Sequence, residues 1–288
     1  MKAMPTIAVR MEKIRAIFQY AMSVAINEEA IDVVEQALTA TDNEFRSVAY
    51  EAAAMSIALR DISTNDKFHH WQSFMRLQGR KHLTQVHIGL GWAMAQQQFP
   101  VLPFIETLEP LMQCRVIDGY GYYEGVFRKR KALEEMKVPQ EIPSKFLAAY
   151  DQGLGRSIWY YCKADSEKLA ELVTAFPYSR QKDLWRGIGT ACVYVGGFDE
   201  SLLRQLDAKA SVHRIQLSIA ASLVARTRTE ADSHSSYTDM ACRAWCQCSE
   251  EKASEITTIT IPQVEAYPDP CARWLSNIKE AFLSARTI

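Results

Sequence analysis

The chain has 288 residues, 48% of them hydrophobic, and its 33 basic and 34 acidic residues leave a formal charge of -1. That length can bury a sizeable core, and the balanced charge argues against a general electrostatic footprint for nucleic acid or an anionic membrane. No apolar run reaches the ~18 residues of a membrane span, Met1 to Arg10 carries no secretory signal, and the odd count of seven cysteines fits free thiols in a reducing cytoplasm better than a disulfide framework.

Apolar residues at Met11, Ile14, Ile17, Phe18 and Ala21 follow a period near 3.6 and predict a helix. Thr41-Asp42-Asn43 interrupts the pattern and offers N-caps. A second helix is expected from Glu44 to about Leu59, carrying Arg46, Tyr50 and Glu51. Ser63 to Asp66 reads as a turn, with Asp66 as the cap of a helix through Trp71 and Phe74.

The middle of the chain differs. All 12 glycines lie between Gly79 and Gly197, and four Gly-x-Gly pairs begin at Gly89, Gly119, Gly153 and Gly187. The steps between them, 30, 34 and 34 residues, suggest stacked helix-pair units. Each unit is expected to open its first helix at Gly-x-Gly and its second at an acidic cap, Asp165 or Asp199. Glycine inside a helix costs ~1 kcal/mol, so a repeated pair needs a reason, of which close helix packing is the simplest. Pro100, Pro103, Pro110, Pro139 and Pro143 punctuate the turns. Helix returns at Tyr237 to Ser249 and at Trp274 to Ser284, while β-branched Thr257 to Val264 suggests a short extended piece. The expected fold is all-α: stacked helix pairs of about 34 residues, an α-solenoid or closed α/α array around an apolar cavity. It reads as one domain, 1–288, with a glycine-rich core at 79–220 and helical caps at both ends.

Four groups of residues offer chemistry. Asp118 to Gly125 sets Asp118 and Glu124 beside Tyr120, Tyr122 and Tyr123. A carboxylate such as Glu124 in an apolar helix either pairs or has its pKa raised. Tyr50-Glu51 repeats the Tyr-Glu pair of Tyr123-Glu124, so Glu51 and Glu124 are candidates to face one lumen as acid and base or to hold a divalent ion such as magnesium. His87, Asp118, Asp151 and Arg186, read as the polar residues just before each glycine pair, would line one rim, although Asp118 and Asp151 also suit N-caps. Trp92, Tyr120, Tyr122, Trp159, Tyr160 and Tyr194 would shape an aromatic wall, or simply fill a core. Cys242, Cys246, Cys248 and His234 match no standard zinc spacing, and Arg128 to Lys131 reads as a solvated basic run.

Two motif matches carry less. Gly119-x-Gly121 with Gly125 lacks the strand-turn-helix setting of a dinucleotide site. Asn43, Ser47 and Glu51 have the spacing of the magnesium-binding triad of class I terpene synthases, with Glu28-Glu29-Ala30-Ile31-Asp32 as a loose acidic partner.

His87 to Ala93, Ile117 to Gly125, Asp151 to Ser157 and Asp183 to Gly189 together resemble a bacterial family of unknown function found in enediyne biosynthetic gene cassettes. The likeness extends to Arg46 and Tyr50-Glu51, roughly residues 45 to 250. It implies a protein of specialised metabolism near polyene chemistry and supplies no established catalytic residue. The functional expectation is an enzyme that encloses a hydrophobic polyene or isoprenoid, for a cyclase or tailoring step. Glu51, Asp118, Glu124 and Asp151 would be its acid/base or metal-binding groups. His87, Trp92, Tyr120, Tyr122 and Trp159 would contact substrate, with Arg156 at an anionic end. The alternatives are a magnesium-dependent prenyl diphosphate cyclase of unusual fold, and a non-catalytic scaffold for a synthase or carrier protein.

Overall fold

Caps and proline placement start several of the helices. Thr6 accepts from the Val9 amide and opens α1 (Ile7–Asn27), which is followed by α2 (Ile31–Thr39), α3 (Arg46–Thr64), α4 (His69–Arg76), α5 (Leu83–Gln97) and α6 (Leu102–Ile105). Glu109 caps α7 (Pro110–Phe127), with the proline at the first position, where no amide is needed. Next come α8 (Leu147–Tyr161), α9 (Ser166–Ala175), α10 (Tyr178–Val195), α11 (Glu200–Ala210), α12 (Ile215–Glu230), α13 (Ser236–Ala241), α14 (Glu250–Ile259) and α15 (Pro270–Ala285). Asp165 and Asp199 cap α9 and α11, as their sequence positions predict. This computed structural model describes residues 6–28, 30–263 and 267–285. Among them the fold is all-α, with no strand, and no helix is long and apolar enough to cross a membrane.

The long helices pack in chain order: α1 on α3, then α5, α7, α8, α10, α12 and α14, each against the one before. Helix α1 also reaches α10, where Arg10 Nε donates to the Val195 carbonyl at 2.5 Å. Alanine gives α3 its tight seat, since Ala49, Ala52, Ala53, Ala54 and Ala58 have no exposed surface.

The glycine pairs explain how the helices come so close. A helix turns ~100° per residue, so residues two apart face opposite flanks. The first glycine of each pair meets the preceding long helix and the second meets the following one. A Cβ on Gly119 would overlap the Ile88 carbonyl oxygen of α5, and one on Gly121 the Tyr150 carbonyl oxygen of α8. Gly153 and Gly155 repeat the rule against Asp118 of α7 and Leu184 of α10. Backbone thus lies on backbone, and only glycine permits it.

Several expectations are corrected. The Gly-x-Gly pairs sit in mid-helix, so they do not open helices, and Asp118 and Asp151 are interior residues, not caps. Close packing outweighs the helix-breaking tendency of glycine. Thr257 lies in α14 rather than in an extended piece, because Ser249 caps that helix; Val264 is outside the described residues, as is Glu29. The run from Tyr237 breaks into α13 and a π-helical turn, Cys242–Cys246, before α14 begins. Phe68, in a left-handed conformation, holds the cap position of α4 in place of Asp66. Cys114 and Cys271 form a disulfide between α7 and α15, whereas Cys162, Cys192, Cys242, Cys246 and Cys248 are free thiols.

Candidate functional site

Helix phase decides which side chains meet. With the two glycines on opposite flanks, the residue just before the first and the residue just after the second share the face between them. Those positions are Ile88 and Trp92 on α5, Asp118 and Tyr122 on α7, Gln152 and Arg156 on α8, and Arg186 and Thr190 on α10. The residue inside each pair, Leu90, Tyr120, Leu154 or Ile188, takes the opposite face and is buried there.

The shared face carries a polar ladder. Gln152 Nε2 donates to Asp118 Oδ2 at 2.6 Å, and Arg186 Nε donates to Gln152 Oε1 at 2.5 Å; each bond joins residues 34 apart. Arg186 also pairs with Asp183 at 2.7 Å and donates to Gln216 Oε1 at 3.1 Å. One helical turn along, Arg156 Nη2 lies 2.6 Å from Asp118 Oδ1 as an ion pair, and its guanidinium sits 4.6 Å over the Tyr122 ring. Aromatic rings continue from there: Trp92 to Tyr122 at 4.9 Å, Tyr122 to Tyr160 at 5.9 Å, and Phe18 of α1 to Trp92 at 5.0 Å.

Glu51 of α3 joins this cluster. Burial pushes its carboxyl up to about 7; Arg156 opposes the shift and Asp118 adds to it. A carboxyl in that range can exchange a proton near neutral pH. Burial works against the Arg156 cation too, but Asp118 and Glu51 outweigh it and its pKa is raised. Burial also raises the phenols of Tyr122 and Tyr160, and takes Tyr194 to about 12. Yet Tyr122, Arg156, Tyr160, Thr190 and Tyr194 all keep some accessible surface.

Of the residues named from sequence, Glu51, Trp92, Asp118, Tyr122 and Arg156 therefore come together. The others do not. Glu124 and Tyr120 take the opposite face of α7, where Glu124 is bound by Arg128; burial raises the Glu124 pKa and Arg128 counters it. Glu51 and Glu124 thus have different neighbours and do not form a facing pair. Asp151 is fully buried and tied to Arg180, which donates to Oδ2 at 2.9 Å and to Oδ1 at 2.5 Å. His87 gives its Nδ1 to the Leu83 carbonyl at 2.7 Å, meets the Trp71 ring edge-on at 5.2 Å, and is held by burial near a pKa of about 4. It lines a pocket of about 300 Å³ with Leu83, Leu108 and Met112. Trp159 is fully buried, with an indole nitrogen that has no partner among the described residues. His87 and Asp151 stand two residues before their glycines, not one, which turns them away from the ladder.

The terpene-synthase-like triad also comes apart. Ser47 Oγ is 2.8 Å from His82 Nδ1, and exposed Asn43 donates to the Asp232 carbonyl at 3.0 Å. Among the described residues, Asp61, Asp66 and His70 bring ligand atoms within 4.8 Å of one another. Neither Glu51 nor Glu124 belongs to that group. Sequence reasoning placed Asp118 and Arg186 on one rim but missed Gln152, which links them, and Asp183, which pairs with Arg186. Strict counting from each first glycine was the signal that locates Asp118, Gln152 and Arg186 on one line.

A family model described as "Protein of unknown function (DUF1702)" matches residues 1–282. No curated protein and no solved structure matches the chain.

Proposed function

The chain belongs to the DUF1702 family of proteins of unknown function, and from that premise we propose an enzyme of specialised metabolism. It encloses a hydrophobic polyene or isoprenoid chain against the aromatic wall of Trp92, Tyr122 and Tyr160 and uses Glu51 as its acid-base group. The observation that carries this reading is Glu51 itself: a desolvated carboxyl with a pKa of about 7, in a cluster with Tyr122 and Tyr160, which keep some accessible surface. Aromatic faces stabilise a cationic or electron-poor carbon chain by their quadrupoles. Burial chiefly raises the proton affinity of that carboxyl, with Arg156 lowering it and Asp118 raising it. Asp118, not Glu124, is then the second carboxylate. The resemblance to proteins of enediyne cassettes supports a polyene as the substrate class and a cyclase or tailoring step as the reaction.

A neutral triene, diphenylhexatriene, tests the binding part. Its fluorescence should rise saturably with the protein, and Trp92→Ala should weaken binding by about tenfold. Replacing Glu51 by Gln in the producing strain tests the chemistry. Loss of the end metabolite at unchanged protein level is expected. An unchanged metabolite profile sinks the acid-base role and favours the scaffold reading. That second reading has one specific support: the glycine pairs are fully accounted for by helix packing.

A further inference from the structure

A small cavity lies at the α15 end of the polar ladder. It measures about 50 Å³ and is lined by Arg115, Lys145, Gln152, Arg186, Asp269 and Trp274, among others. The Cys114–Cys271 disulfide, also in its lining, pins α15 against α7 here. Three of the named residues are cations and one is an acid. Asp269 already accepts from the Ala272 amide at 2.9 Å and serves the start of α15. Lys145 is half-exposed and only 3.9 Å from Glu106. Arg186 is committed to Asp183, Gln152 and Gln216.

Arg115 is different. Its Nε is buried without a hydrogen-bond partner, and among the described residues its guanidinium has no ion pair. Its contact is with the Trp274 ring, at 5.7 Å, and Arg226 lies over the same ring at 4.9 Å. Arg226 itself is paired with Glu230 at 2.8 Å. Burial lowers the Arg115 pKa; Asp118 opposes this, Arg226 and Arg186 add to it, and Glu230 opposes it. Arg115 is part-buried, and a cation with its Nε sealed from water, cationic neighbours and no ion pair favours an anion beside it. Asp118 accepts from Gln152 at Oδ2 and faces Arg156 at Oδ1, and among the described residues no ion pair joins it to Arg115.

We propose that this cavity is a binding site for a small oxyanion, a carboxylate or a phosphate, held by the Arg115 guanidinium with Lys145 at the rim and Trp274 as its wall. The volume holds a few waters or one such group. A guanidinium is suited to bidentate capture of either anion. The site needs neither Glu51 nor the aromatic wall, so it stands or falls apart from the acid-base reading.

Calorimetric titration of the full-length oxidised protein, in buffer free of other oxyanions and at constant ionic strength, tests it. Inorganic phosphate and butyrate are titrated separately. One saturable site for at least one of them is expected, and the stronger of the two identifies the head group. Arg115→Gln should weaken that binding about tenfold or more, as expected for the loss of a charge-assisted contact. The rim variant Lys145→Gln, at an exposed residue, should weaken it severalfold with the helical signal unchanged, and it carries the test if Arg115→Gln does not fold. Failure of both anions to saturate at millimolar concentration overturns the proposal. So does binding that is unchanged in both variants, or unchanged in Lys145→Gln if only that variant folds.

Discussion

Replacing Glu51 by Gln removes a titrating group from the interior while keeping its shape. The folded carboxyl titrates near 7 against an ordinary value of 4.5, and the first cause is burial. Because the folded pKa is raised, the folded state binds the proton more tightly than the unfolded state does. The contribution of Glu51 to stability is therefore greatest below pH 4.5 and is lost as pH rises through 7. At about 1.4 kcal/mol per pH unit, the full loss is about 3 kcal/mol, of which at least about 2 kcal/mol falls between pH 5 and pH 8. A neutral amide at the same position has no such penalty. The stability of Glu51→Gln minus that of the native protein should rise by that amount across the interval. Urea unfolding of both proteins at several pH values measures it. Taking the difference cancels other groups that titrate near there, including Glu250, which burial also raises to about 7. A difference that stays flat within about 0.5 kcal/mol, or falls with pH, would refute a desolvated Glu51.

Gly153→Ala gains about 1 kcal/mol of helix propensity, but its Cβ would overlap the backbone of Asp118 and Tyr122. A net loss of about 1–3 kcal/mol is expected in urea unfolding. Gly189→Ala meets only side-chain atoms of Ala220 and Leu217 nearest to it and should lose less, so equal losses would contradict the packing argument. Arg180→Met strands the fully buried Asp151 carboxylate and should destabilise by about 3–5 kcal/mol near neutral pH. Acidification that protonates Asp151 should recover part of that loss. Gln152→Leu leaves Asp118 Oδ2 and Arg186 Nε without their bonds, for a loss of about 1–3 kcal/mol in the same assay. Cys114→Ser opens a covalent loop that spans 157 residues and should lower stability by up to about 5 kcal/mol, read against the reduced native protein as control.

Much of the secondary structure is legible because its causes are local. Asp165 and Asp199 act within one turn of their helices, and the period of Met11 to Ala21 lies inside α1. The glycine pairs are legible as a packing device, but their position within a helix is not. A glycine that breaks an isolated helix is tolerated when a neighbouring backbone lies against it, and the neighbour is distant in sequence. That is why the pairs looked like helix starts, and why Asp118 and Asp151 looked like caps.

The site divides along the same line. Counting from the glycines places Asp118, Gln152 and Arg186 on one face, and separates His87, Tyr120, Glu124 and Asp151 from it. That much is helix geometry, and the sequence by itself determined it. Which faces then met was decided only in the tertiary structure. The packing of α3 on α5, of α5 on α7 and of α7 on α8 brings Glu51 within range of Asp118 and Arg156; α15 returns to α7 and joins Cys114 to Cys271. Helical phase is written in neighbouring residues. The choice of partner face, and the desolvation that moves Glu51, depend on what the rest of the chain packs over it.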